Sequence, residues 1–298
     1  MKILLLGKDG QVGTELQRTL LALGNVIAIG RPDLNLEDLS GLSDLLNLHC
    51  PDILVNAAAY TAVDKAESEQ ETAFLINTNV VSVLADFAQK NNTLLVHYST
   101  DYVFDGEKSG AYIETDHVNP QSVYGASKRA GEEAIIQSTC KFLIFRTSWV
   151  FSSTGKNFIK TILNLAKEKN SLRVVADQFG APTSAELIAD VTAIAISNYL
   201  KKQIDNGIYH LTSAGSTTWH NLACYVVSKA LDNGMVLKLT SQQIHPISTN
   251  EYPLPATRPK NSTLDNSALS SALALHIPDW AVHVDRAINQ LTQLEPSV

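Results

Sequence analysis

The sequence predicts an α/β protein in which a parallel sheet is covered by helices on both faces, followed by a smaller α/β unit. Three observations carry this reading. Short aliphatic runs alternate with amphipathic stretches from the first residues to about residue 147, as strands joined by crossover helices do. A glycine-rich turn follows the first aliphatic run. Beyond residue 147 the helical stretches are separated by longer, Pro-bearing segments such as 178–183 and 245–259.

The elements follow in chain order. Residues 2–6 are a run of Leu and Ile that suits a strand buried on both faces. In 12–23, Val12, Leu16, Leu20 and Leu23 recur at helical spacing. Residues 25–29 form a second strand, 39–48 a helix, 52–56 a third strand and 72–90 one long helix. A strand at 94–98, a helix at 122–138 and a strand at 142–146 complete the series. Helices are then predicted at 157–169, 184–201, 218–232 and 280–294. The short strand 207–211 is expected to return to the main sheet. This gives a first unit over 1–147 and a second, mainly substrate-binding unit over 148–298, joined by a returning strand near 207–212.

Composition narrows the function. The 298 residues are 45% hydrophobic and 18% charged, with 23 bases against 30 acids and a net charge of −7. An acidic chain lacks the excess of Lys and Arg that neutralising nucleic-acid phosphates requires. No run of 18 apolar residues is present, and the apolar run at the start is too short for a signal peptide, so no membrane association is expected. The three cysteines, Cys50, Cys140 and Cys224, are far apart and form no CxxC, so reduced thiols in the cytoplasm are expected.

Gly7, Gly10 and Gly13 form a GxxGxxG turn between the first strand and the first helix. Glycines allow a tight turn and close approach of a pyrophosphate, and the helix N-terminus offers it unpaired N–H groups. This is a Rossmann-type dinucleotide site. An acid after the second strand would hold the adenosine ribose and favour NAD. The chain has Gly30 and Arg31 there. Arg31 can grip a 2′-phosphate, which favours NADPH and leaves NADH possible.

Tyr124 and Lys128 are a YxxxK pair, and i, i+4 spacing puts both on one helix face. A neighbouring ammonium is expected to lower the phenol's pKa and fit it for general acid catalysis. A second pair, Tyr225 and Lys229, has no strand-end hydroxyl before it and is read as structural. Ahead of Tyr124, the strand ending in Tyr98 runs into Ser99, Thr100 and Asp101. Hydroxyls at the C-terminal end of a parallel strand face the ligand crevice, so Thr100 is placed to bond the same carbonyl oxygen as Tyr124. The small residues Ala57, Ala58 and Ala59 leave room for a cofactor at the sheet edge.

Several stretches carry a resemblance: 7–13, 55–67, 97–104, 123–128, 145–150, 177–183 and 258–262. With them the chain resembles the extended short-chain dehydrogenase/reductases, and within these the dTDP-4-dehydrorhamnose reductase branch. The resemblance implies reduction of the C4 carbonyl of a dTDP-4-keto sugar by NAD(P)H, with Tyr124 as proton donor. It implies that Gly10, Gln11 and Val12 lie on the pyrophosphate, and that Ala59, Tyr60, Thr61 and Tyr98 line the cofactor. Lys128 would hold the nicotinamide ribose. Thr100, Asp101 and Trp149 would contact the nucleotide-sugar, and Arg258 would clamp its diphosphate. Some members dimerise around a Mg²⁺ ion held by glutamates; Glu15 and Glu186 match two of these, whereas the third position carries Gln290. Monomer and homodimer both stay open, as do two other activities. One is a non-catalytic NADP-binding regulatory subunit of a methionine adenosyltransferase-type enzyme. The other is a nucleotide-sugar epimerase or dehydratase.

Overall fold

The computed structural model describes residues 1–293. Its strands and helices, in chain order, are β1 (Lys2–Leu6), α1 (Gln11–Thr19), β2 (Asn25–Ile29), α2 (Leu39–His49), β3 (Ile53–Asn56), α3 (Val63–Ala66), α4 (Gln70–Phe74), α5 (Val80–Asn91), β4 (Leu94–Thr100), α6 (Val123–Ser138), β5 (Lys141–Thr147), β6 (Val150–Phe151), α7 (Phe158–Glu168), β7 (Leu172–Val175), β8 (Phe179–Gly180), β9 (Thr183–Ser184), α8 (Ala185–Leu200), β10 (Gly207–His210), β11 (Thr217–Thr218), α9 (Trp219–Asp232), β12 (Ile244–Ile247), α10 (Ser267–Ala272) and α11 (Trp280–Gln293).

The central sheet has six parallel strands in the order β10-β5-β4-β3-β1-β2. Its inner strands are aliphatic throughout because both faces are covered. Alternate residues serve opposite layers. Ile3, Leu5, Val55, Val96 and Phe145 pack against Leu16 and Leu20 at α1 and Ile188, Val191 and Ile196 of α8. Leu4, Leu6, Leu54, Leu95 and Ile144 pack against Leu42 and Leu46 of α2, Leu84 and Ala88 of α5 and Ile135 of α6. A second core joins Ile159 and Leu163 of α7 with Val226 and Val227 of α9 and Val284 and Ile288 of α11.

β10 pairs with β5, as the returning strand was expected to do. The helix expected at 184–201 also folds back, covering the sheet as α8 instead of joining the later helices. Chain order therefore does not separate the two cores at residue 147. The long helix expected at 72–90 is divided: a π-helical turn over Leu75–Asn79 separates α4 from α5. β4 continues two residues past the expected end, to Thr100. The last expected helix is α11, whose predicted final residue, Leu294, lies outside the described residues.

Candidate active site

The glycine turn lies at the C-terminal edge of the sheet. Gly7 has φ +85°, and a Cβ there would sit 2.7 Å from the Ala57 carbonyl carbon. A Cβ on Gly13 would lie 2.0 Å from the Gly7 oxygen, so that position admits no side chain. Side chains cap α2, α6, α7, α8 and α9, through Asp38, Ser122, Asn157, Ser184 and Thr218. α1 follows Gly10, which offers no side-chain cap. The first N–H groups of that helix, at Gln11, Val12 and Gly13, have no partner within the helix and suit an anion. The Gln11 side chain is committed elsewhere: its Oε1 accepts from Asn157 Nδ2 at 2.9 Å and ties the turn to the start of α7. Backbone and steric space together fit a dinucleotide pyrophosphate.

Arg31, past the end of β2, is exposed. Its neighbours are more constrained: Gly30 N–H donates to Asp33, which pairs with Lys8. Past β3, Ala59 is half-buried and Thr61 exposed. The backbone of Tyr60 is held from both sides by the buried Asn77, whose Oδ1 accepts from its N–H at 2.9 Å and whose Nδ2 donates to its carbonyl at 3.0 Å. The Tyr60 hydroxyl donates outward to Glu69, and this bond holds the phenol up at about 12. The Tyr98 side chain departs from expectation. It is buried in the sheet core against Phe145 and bonds Thr192 Oγ1 of α8 at 2.9 Å. Alternation along β4 turns it toward α8, so only its backbone reaches the lysine described next.

Ser122 caps α6 by accepting from Gly125 N–H, which starts the helix one residue before Tyr124. A Cβ on Gly125 would meet the Tyr102 oxygen at 2.2 Å, so α6 lies hard against the turn that follows β4. Tyr124 is thereby brought to Thr100 and Asp101. Burial pushes its phenol up to about 12, the Thr100 hydroxyl pulls it down, and the Asp101 carboxyl raises it. Tyr102 packs edge-on against it, ring centroids 5.5 Å apart. Thr100 Oγ1 donates to Asp101 Oδ1 at 2.9 Å and caps the following turn through Tyr102 N–H. Asp101 is buried, which lifts its carboxyl to about 6 against the pull of Ser262 and Thr100.

Lys128 is on the same helix, and its ammonium is held by the end of β4. Nζ donates to the Tyr98 carbonyl at 2.6 Å and lies 3.3 Å from His97 Nε2. A buried cation needs acceptors, and the Tyr98 carbonyl at the end of β4 supplies one. Burial lowers Lys128 to about 8, while Glu132 raises it. The second YxxxK pair has a different fate: Tyr225 and Lys229 both bind Asp285, tying α9 to α11.

Trp149 follows β5 with φ +48°, an uncommon conformation for a bulky residue. Its indole stacks on Trp219 with centroids 3.5 Å apart, and a Cβ on Gly180 would enter its ring at 2.5 Å. Arg258 reaches back from the loop before Ser262 to Asp64, Nη2 to Oδ2 at 2.7 Å, and its charge acts on Tyr102. The loop thus closes over the edge that carries Tyr102 and Tyr124.

Glu15 and Glu186 do approach each other, since the charge on Glu186 helps raise Glu15 after burial. They do not make a magnesium site. Glu186 is bonded by Arg286 Nε at 2.6 Å and by Gln290 Nε2 at 3.2 Å, so a guanidinium fills the place a cation would need. Among the described residues no group of three His, Cys, Asp or Glu could hold a metal. The three cysteines are free, and no described helix is long and apolar enough to cross a membrane.

Residues not picked out from the sequence also shape this edge: Asn56, His97, Asn77, Tyr102, Glu132 and Arg146. Asn56 and His97 carried a signal, since each puts a polar group directly after an aliphatic run within a fully buried strand. Asn77 gave none, because the π-turn that aims it is invisible to helical periodicity.

The chain is similar to known proteins along nearly its whole length. A family model described as RmlD substrate binding domain matches residues 1–293. The dTDP-4-dehydrorhamnose reductase of Escherichia coli strain K12 is 48% identical over 298 residues, covering 98% of each chain. The crystal structure of a dTDP-4-dehydrorhamnose reductase from Clostridium acetobutylicum superposes with a TM-score of 0.89 at 34% identity, covering 98% of this chain and 99% of that one. The Bacillus anthracis enzyme of the same name, solved in complex with NADP, gives 0.87 at 32% identity over 97% and 99%. With the model matching nearly end to end and such relatives covering almost the whole sequence, the chain belongs to the dTDP-4-dehydrorhamnose reductase family.

Proposed function

We propose that this protein reduces the C4 carbonyl of dTDP-4-dehydro-6-deoxy-L-mannose to give dTDP-L-rhamnose, with Tyr124 as the proton donor. The observation that carries the reading is the contact of the Tyr124 phenol with Thr100 and Asp101 on the sheet edge that also bears the glycine turn. NADPH, held by the turn at Gly7–Gly13 and by the chain at Ala59, supplies the hydride when bound. A phenol held at about 12 stays protonated at neutral pH, the form in which it can donate. The Thr100 hydroxyl donates to Asp101 and accepts from the Tyr102 N–H. Rotation about its Cβ–Oγ1 bond turns that proton to the developing alkoxide, where a preorganised donor is most effective. Lys128, fixed between Tyr98 and His97, faces the ribose side of the site. Trp149 offers its indole to the sugar nucleotide, and Arg258 exchanges Asp64 for the diphosphate. Arg31 stands free to meet a 2′-phosphate, which favours NADPH over NADH.

The test is loss of absorbance at 340 nm on adding the 4-keto sugar nucleotide to protein and NADPH. Tyr124→Phe is expected to lower kcat by about 10²–10⁴-fold, the usual worth of a positioned acid. An unchanged kcat would remove Tyr124 as donor. A UV spectrum showing tightly bound, recycled cofactor and no net oxidation would favour an epimerase instead.

A further inference from the structure

Behind Lys128 lies a buried chain of hydrogen bonds that the reaction as proposed does not use. Asn56 ends β3 and His97 lies directly across from it on β4. Asn56, His97 and Lys128 are all at most 2% exposed. The Ala58 N–H donates to Asn56 Oδ1 at 3.1 Å. Asn56 Nδ2 faces His97 Nδ1 at 3.1 Å, and His97 Nε2 faces Lys128 Nζ at 3.3 Å.

Donor and acceptor bookkeeping fixes the protons. A backbone N–H can only donate, so the amide oxygen of Asn56 must face Ala58 and its NH₂ must face the imidazole. His97 Nδ1 is then the acceptor, and the single ring hydrogen of a neutral imidazole sits on Nε2. Burial, with the charge on Lys128, holds His97 well below its usual range, so the ring is neutral. An Nε2–H pointing at Lys128 needs a lone pair there, which only the unprotonated amine has. If Lys128 is an ammonium, the ring hydrogen must move to Nδ1, where it meets the NH₂ of Asn56 donor to donor. Each charge state of Lys128 therefore selects one tautomer of His97, and Asn56 favours the tautomer that goes with the neutral amine.

We propose that His97, oriented by Asn56, is a positioning residue that sets the pH at which Lys128 changes charge and keeps this lysine near its crossing point. The groups facing the pair are accounted for on each element. α6 brings Glu132, one turn beyond Lys128, whose charge favours the ammonium, and Tyr124, on the preceding turn. β4 brings the Tyr98 carbonyl, which accepts from either form of Lys128. β3 brings Asn56. Burial of Lys128 acts in the same direction as the Asn56–His97 pair. The inference rests on the reading of Lys128 as part of the reductase site for its consequence, but not for its test.

The test is ¹⁵N NMR of the histidine ring in the whole protein, titrated from pH 6 to 10, with His97→Gln identifying the signals. At high pH the ring is expected as the Nε2–H tautomer. It should pass to Nδ1–H as pH falls through the crossing of Lys128. Lys128→Met should hold the ring as Nε2–H throughout. Asn56→Asp, whose carboxylate accepts from Nδ1–H, should hold it as Nδ1–H and move the crossing up by at least one pH unit. In turnover assays the same variant should shift the limb of the pH profile, with kcat on the plateau within a few-fold of the parent; a purely structural lesion lowers kcat at every pH. Nδ1–H across the whole range in the parent protein, or a tautomer indifferent to removal of the Lys128 amine, would overturn the proposal. Because the tautomer is read without turnover, an inactive Tyr124 variant and a failed tautomer switch remain separate results.

Discussion

Replacing Arg146 by Met strands a carboxylate in the core. Arg146 and Glu132 are 1% and 0% exposed, and the guanidinium meets the carboxylate through two bonds, Nε to Oε1 and Nη2 to Oε2, both 2.8 Å. Arg146 also lies over the Phe104 ring, 5.1 Å from its centroid. After the substitution Glu132 keeps Arg129 Nη1 at 3.0 Å, whose side chain is partly exposed. Two charge-assisted bonds at about 1.5–3 kcal/mol each give roughly 3–6 kcal/mol. That range overlaps the roughly 3–5 kcal/mol lost when one partner of a buried pair is removed. Chemical denaturation with an unchanged m-value is the assay. The double variant Arg146→Met, Glu132→Leu should recover most of the loss, because it removes the stranded charge. A single variant within about 1 kcal/mol of the parent, or a double variant no better than the single, would refute the argument. The pair also sets a pH dependence. Burial raises Glu132, but Arg146, Ser99 and Arg129 outweigh it and leave the carboxyl below its usual range. Its stabilisation is therefore present above the unfolded carboxyl value and is lost as pH falls through the lower folded value.

Other consequences follow from the same geometry. Gly13→Ala puts a methyl 2.0 Å from the Gly7 oxygen, and loss of dinucleotide binding by titration calorimetry is expected, with lowered thermal stability. Asp101 is raised to about 6, so its ionised form is disfavoured on folding and costs stability above that pH but not below the unfolded carboxyl value. Asp101→Asn should accordingly raise stability at pH 8 by about 2–3 kcal/mol, leave it little changed near pH 4, and weaken turnover. Arg31→Ala should raise the KM for NADPH about tenfold or more and leave that for NADH unchanged; equal effects on both would remove Arg31 from the 2′-phosphate. Trp219→Ala removes the ring stacked on Trp149 and should raise the KM for sugar nucleotide more than it lowers kcat, with Trp219→Phe restoring most of the difference.

Much of this protein is written locally. The strand runs, the glycine turn and the Ser122 cap of α6 depend on neighbours within a few residues, and periodicity reports them faithfully. Hence the parallel sheet, the tight glycine turn after β1 and the nearness of Tyr124 to Thr100 could be read before any coordinates. Where a side chain points at the end of an element is another matter. Tyr98 turns into the core and Lys128 turns to the Tyr98 carbonyl because burial forces each polar atom onto whatever partner packing brings within reach. The same holds for Arg286, which reaches across from α11 and fills the place that two glutamates alone leave open for a metal. α8 returns to the sheet because its apolar face completes a layer that α1 cannot cover alone. Contacts between residues a hundred positions apart leave no periodic trace, so only the folded chain decides them.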